Sequence, residues 1–98
     1  MSSDLTAEST EPVDVVADAV RSVPGVADLH AGSFGEVATY LPGRRVAGVR
    51  LTDDGADVHV VLTWDAPVDA TADAVRRAVA AHVTGAVDVT VEDVAPPA

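Results

Sequence analysis

The residues able to do chemistry are few and scattered. The chain has no cysteine, so disulfides, thiolate metal sites and thiol catalysis are excluded. Its three histidines, His30, His59 and His82, fall at a strand end, an outward sheet position and the last turn of a helix. None has a ligand-type residue at the i, i+4 spacing that zinc sites use. The 16 Asp and Glu residues make close carboxylate pairs unavoidable, and none stands out from a solvated face as an acid–base pair would. Ser33, within Gly32-Ser33-Phe34-Gly35, sits in the form of a Gly-x-x-Gly clamp for RNA. That clamp belongs between helices in basic surroundings, whereas strands flank it here and the chain carries a formal charge of -10. The better reading is a glycine-dependent loop with Phe34 tucked into the core. Asp53, Asp54 and Asp57 lack the spacing and distal Glu of a cation loop. The residues point to no catalytic centre, metal or cofactor.

The elements around these residues are better defined. Two apolar runs, residues 45–52 and 55–64, flank an Asp53-Asp54-Gly55 turn, a strong hairpin signal. Val58, Val60, Leu62 and Trp64 alternate onto one face, and Ala47, Val49 and Leu51 onto the same face of the partner strand. Val46, Arg50, His59, Val61 and Thr63 then point away. A first helix begins at Thr10-Glu11-Pro12, with a hydroxyl cap, an acid and a proline where its missing N–H costs nothing. Val13, Val16, Ala17 and Val20 form its buried stripe, and Pro24-Gly25 stops it. Short strands follow at 26–30 and 36–41, then the Pro42-Gly43 turn and an Arg44-Arg45 loop pair. A second helix over 69–83 buries Ala72, Val75 and Val79, shows Asp73, Arg76 and Arg77 to water, and ends at a Gly85 cap. Val87, Val89 and Val91 alternate with Asp88, Thr90 and Glu92 in a last strand.

The pentapeptide Ala17-Asp18-Ala19-Val20-Arg21 recurs as Ala72-Asp73-Ala74-Val75-Arg76, each copy in a helix that feeds a strand. The order helix–strand–strand–hairpin–helix–strand predicts a two-layer α+β fold with both helices on one face of a small mixed sheet. The second helix is long enough to bring the last strand in parallel to a hairpin strand. At 98 residues the chain holds one core: a leader at 1–9 expected to be disordered, a domain at 10–94 and a short tail at 95–98. That core is mostly Val and Ala, with one Phe, one Tyr and one Trp.

Charge and hydropathy narrow the partners. A strongly acidic chain is repelled by nucleic acid and by anionic lipid. No apolar run reaches the ~20 residues of a membrane span, and the first residues lack a signal peptide's basic and apolar regions. The expectation is a cytoplasmic protein without nucleic-acid binding or direct membrane insertion. All six basic residues are arginines, and Arg44 with Arg45 forms the basic half of an expected contact with the acidic surface of another copy or a partner. Val46 and Val61, with Val37 a further candidate, form a small apolar patch on the open face where copies would meet.

Val23-Pro24-Gly25-Val26, Gly48-Val49-Arg50-Leu51, Val58-His59-Val60-Val61-Leu62 and Thr84-Gly85 with Val87-Asp88-Val89-Thr90-Val91-Glu92-Asp93-Val94 resemble the alkaline-shock-protein family of Gram-positive bacteria. The likeness runs in order over residues ~13 to 94. It implies a non-enzymatic envelope-stress-response protein that self-associates and gathers at the inner membrane face through a small membrane-anchor protein. The chain departs from the family pattern at Asp65-Ala66-Pro67, before the second helix, and in lacking a basic tail. Without the resemblance, a small-ligand-binding or regulatory α+β module is the alternative reading.

Overall fold

The computed structural model describes residues 11–97. It contains α1 (Pro12–Arg21), β1 (Val26–Leu29), β2 (Ala38–Leu41), β3 (Arg44–Ala47), β4 (Val49–Thr52), β5 (Gly55–Leu62), α2 (Val68–Ala80) and β6 (Ala86–Val94). The fold is the expected small α+β arrangement with a mixed sheet. The leader at 1–9 and the Thr10 cap lie outside the described residues; the residue flanking α1 is Glu11, with Pro12 in the first turn.

The sheet is built on β5. On one side β6 runs parallel to it from Gly55↔Ala86 to Leu62↔Val94, as a strand returned by a helix must. The other side is shared end to end. β4 pairs with residues 55–58 and β1 with residues 60–62, both antiparallel. The two meet at His59, whose N–H donates to the Gly48 carbonyl and whose carbonyl accepts from the His30 N–H, both at 2.9 Å. Gly48 is required at this seam: its φ is +86°, and a Cβ would stand 2.6 Å from that of Leu29. β2 and β3 form a separate two-stranded sheet.

The first arm of the expected hairpin is therefore two strands, broken at Gly48. The break changes which side chains point inward. Val46 and Val49 are both buried and both join the core, where unbroken alternation would have set them on opposite faces. Arg44 and Arg45 lie in a strand, opposite Leu41 and Tyr40. Val37 is buried as well. The expected patch of Val37, Val46 and Val61 on the open face does not form.

Both helices turn valines inward. Val16 and Val20 of α1 and Val75 and Val79 of α2 are fully buried with Val49, Val58, Val60 and Leu62. The repeated pentapeptide does the same in both places: its valine is buried, and its Asp pairs with the Arg three residues on, Asp18–Arg21 at 3.9 Å and Asp73–Arg76 at 2.5 Å. α2 is capped at Ala81 rather than Gly85. Gly85 instead permits close approach to β5's turn, since a Cβ there would meet the Asp54 carbonyl oxygen at 2.0 Å.

The core closes without any aromatic residue. Phe34 is 92% exposed, Tyr40 69% and Trp64 64%. Trp64 lies outward because β5 ends at Leu62: Thr63 N–H donates to Gly25 and Ala66 N–H to Thr63, which turns the chain before the next inward position. The loop carrying Phe34 is held by backbone and carboxylate bonds and leaves its ring in solvent.

Candidate interaction surface

The β2–β3 hairpin brings Arg45 and the Tyr40 ring to one surface, after a loop that leaves the Phe34 ring exposed. Tyr40 and Arg45 are direct cross-strand partners at a separation where side chains touch. Arg45 reaches toward the loop before β2, which also carries Phe34: its Nη1 lies 3.9 Å from where a Gly35 Cβ would stand. Arg45 makes no ion pair with any described residue. An exposed arginine with Phe and Tyr is the composition that concentrates binding energy in protein interfaces.

Arg44 is used differently. Its guanidinium forks onto Asp14 of α1, Nη1 to Oδ1 at 3.0 Å and Nη2 to Oδ2 at 2.6 Å. The Asp14 carboxylate raises the Arg44 pKa by hydrogen bonding and by charge. This pair clamps the hairpin to the helix layer, so the Arg44 charge is met within the fold. Of the four residues expected at an interface, Arg45 is on the surface and free of ion pairs, Arg44 is engaged internally, Val46 is in the core, and Val61 is half-buried on the open face. There Val61 stands between Asp28 and Asp93 on the flanking strands, among acids and not in an apolar patch.

The rest of the open face is polar and in part paired. Arg50 binds Asp57 at 2.7 Å, and His59 Nδ1 meets Glu92 Oε2 at 2.5 Å. His30 Nδ1 accepts the Gly32 N–H at 2.9 Å. Glu36 accepts the Phe34 N–H at 3.0 Å. Its pKa is lowered from the ordinary 4.5, first by its own backbone N–H, then by that of Phe34, with His59 and Arg50 adding positive charge. His30 and His59, on separate elements in the sequence, are neighbours through the backbone seam, while His82 lies beyond α2. Among the described residues no group of three or more His, Asp or Glu gathers to hold a metal ion, and no helix is long and apolar enough to cross a membrane.

Two open clefts complete the surface. One is lined by Pro24, Thr63, Ala66, Pro67, Ala70 and Thr71, the other by Leu51, Thr52, Gly55, Ala80, His82 and Thr84. No family model, curated protein or solved structure matches the chain.

The sequence reading missed the exposed aromatics. Phe34 carried a signal in its two flanking glycines, Gly32 and Gly35, which place it in no apolar periodicity. Tyr40 carried one in its distance from Arg45 across the Pro42-Gly43 turn, which makes the two cross-strand neighbours.

Proposed function

We propose that this protein works by binding other protein chains, its own copies among them, and has no catalytic role. This accords with the resemblance to the alkaline-shock-protein family, and the proposal extends to a cytoplasmic envelope-stress protein that gathers at the inner membrane face through a small anchor protein. The observation that carries it is the exposure of Phe34 and Tyr40 around Arg45. Rings that belong to no core cost solubility unless a partner covers them. In self-association the Arg45 face of one copy meets the acidic surface of the next, an arrangement that salt weakens.

Sedimentation velocity over a dilution series tests this. The wild-type chain is expected to associate, and Tyr40→Ala/Arg45→Glu to shift to the slower species with native circular dichroism. Association unchanged by the double substitution and by salt overturns the Arg45 face as the contact. The small-ligand alternative draws on the two clefts. Both are open to solvent, and a metabolite that raises the melting temperature in a thermal-shift screen would favour it.

A further inference from the structure

We infer that the outer edge of β6 is a docking site for an extended basic segment of a partner protein, which joins the sheet as an added strand. This surface is separate from the Arg45 face, which lies on the opposite side of the sheet.

The backbone makes the first part of the case. β6 has nine residues, Ala86–Val94, the longest strand of the fold. It pairs with β5, and among the described residues no strand lies on its other side. In a parallel ladder every second residue turns its N–H and C=O away from the neighbour, so β6 offers a row of outward donors and acceptors over residues 86–91. Beyond them the register shifts, and the Val94 N–H already donates to Asp93 Oδ1 at 2.8 Å. Proteins usually blunt such an edge with charges (lysine above all), proline, a bulge, brevity or a covering segment; over residues 86–91 β6 has of these only Asp88. Ala86-Val87-Asp88-Val89-Thr90-Val91-Glu92-Asp93-Val94 contains neither lysine nor proline.

Burial makes the second part. Val89 and Val91 lie beside Val58 and Val60 in register. Val58 and Val60 are fully buried, whereas Val87, Val89 and Val91 are only half-buried. α2 packs against β6 and still leaves these valines half-buried, and a further strand would complete the cover.

Charge selects the occupant. The other face of β6 carries Asp88 and Asp93, both exposed, with Glu92 held against His59. Asp88 is in no ion pair among the described residues and stands beside Asp57, whose charge Arg50 already meets. A second copy brings no cation to this edge, since β6 carries neither Arg nor Lys. Antiparallel pairing with itself about Thr90 sets Asp88 against Glu92 twice, where like charges destabilise, and pairing about Val89 sets these acids against Thr90 and Ala86, with no opposite charge. A strand alternating Lys or Arg with β-branched residues fits both faces. Its cations meet the aspartates, and its apolar side chains extend the row of Val87, Val89 and Val91.

The probe is a short amidated peptide alternating lysine with valine, titrated into the isotope-labelled full chain and followed by amide shifts and hydrogen exchange. Saturable binding with slowed exchange at alternate β6 amides is expected. Asp88→Lys/Asp93→Lys should weaken it at least about tenfold, and Arg45→Glu should leave it unchanged, which separates this site from the self-association face. Two N-methylated peptides, one blocked at every lysine and one at every valine, keep the test independent of protein variants. Only one of them should lose binding, because N–H groups alternate between edges. The inference is overturned if the peptide does not bind, if both blocked peptides bind alike, or if an all-lysine peptide binds as tightly. Protection outside β6, or protection of β6 on concentrating the protein alone, overturns it too.

Discussion

The two edges of the sheet are finished in opposite ways. Along β4 the edge is closed by the β2–β3 hairpin. The Thr39 hydroxyl donates to the Val49 carbonyl at 2.8 Å and accepts from the Leu51 N–H at 3.4 Å, satisfying backbone groups that a further strand would otherwise take. Along β6 no strand lies beside it among the described residues, and the one side-chain bond to its backbone is at its end, from the Val94 N–H to Asp93 Oδ1 at 2.8 Å. The difference is informative because the covered edge consumes ten residues, Ala38–Ala47, and two specific devices: the Thr39 side chain and the Arg44–Asp14 clamp. A chain that invests this much in closing one edge and leaves its longest strand open has an asymmetric surface. It has one side for contacts made by side chains and one for contacts made by backbone.

Burial at the centre and at the open edge gives the largest expected effect. Leu62→Ala, at a position with 0% exposure, should cost about 3 kcal/mol. Val89→Ala, half-buried, should cost about 1 kcal/mol or less. Denaturant midpoints for the two variants measure the gap. Equal losses would mean that β6 is as fully covered as β5 and would break the comparison.

A smaller effect is expected from uncovering the closed edge. Thr39→Val keeps the shape and removes the hydroxyl, leaving the Val49 carbonyl and Leu51 N–H without it. A loss of about 1 kcal/mol should follow, with faster exchange at the Leu51 amide and none at the β6 amides. An unchanged Leu51 exchange rate would show that the hydroxyl does not guard this edge.

The smallest effect concerns acid. Glu36 orders the loop that leads into β2, and its folded pKa lies below the ordinary 4.5. Its contribution is therefore complete above about 4.5 and is lost as pH falls through the lower folded value. The Phe34 and Glu36 amide signals should broaden or shift in that range, while the β6 signals stay in place. Glu36→Gln should bring the loop's acid form to neutral pH, and a variant with native loop signals would remove Glu36 from this role.

Much of this was legible in the sequence. The helical stripes, the Asp53-Asp54-Gly55 reversal, the alternation of Val58, Val60 and Leu62, and a last strand parallel to β5 follow from local pattern and chain connectivity. The errors share a cause: period-two reasoning assumes an unbroken strand. Gly48 breaks one arm and puts Val46 inside, and the turn after Leu62 puts Trp64 outside. Trp64→Ala is accordingly a change of about 0.5 kcal/mol, not the several kcal/mol of a core tryptophan. The Arg44-Arg45 pair stands out in the sequence, with Arg45 as one member. Arg44 could not be told from it, because Asp14 is far away in sequence and only the docked hairpin brings the two together.

The position of β5 also bears on how the protein forms as it is synthesised. β1 and β4 are already made when β5 emerges, so its antiparallel side can zip at once, at the Gly48–His59 seam. Its parallel side must wait for α2 and then β6. During that interval Val58, Val60 and Leu62 have one flank bare, and the nascent chain is most open to capture by a chaperone or by another chain's strand. Completion of β6 ends that exposure and moves the open edge outward by one strand, from an apolar surface to one guarded by aspartates.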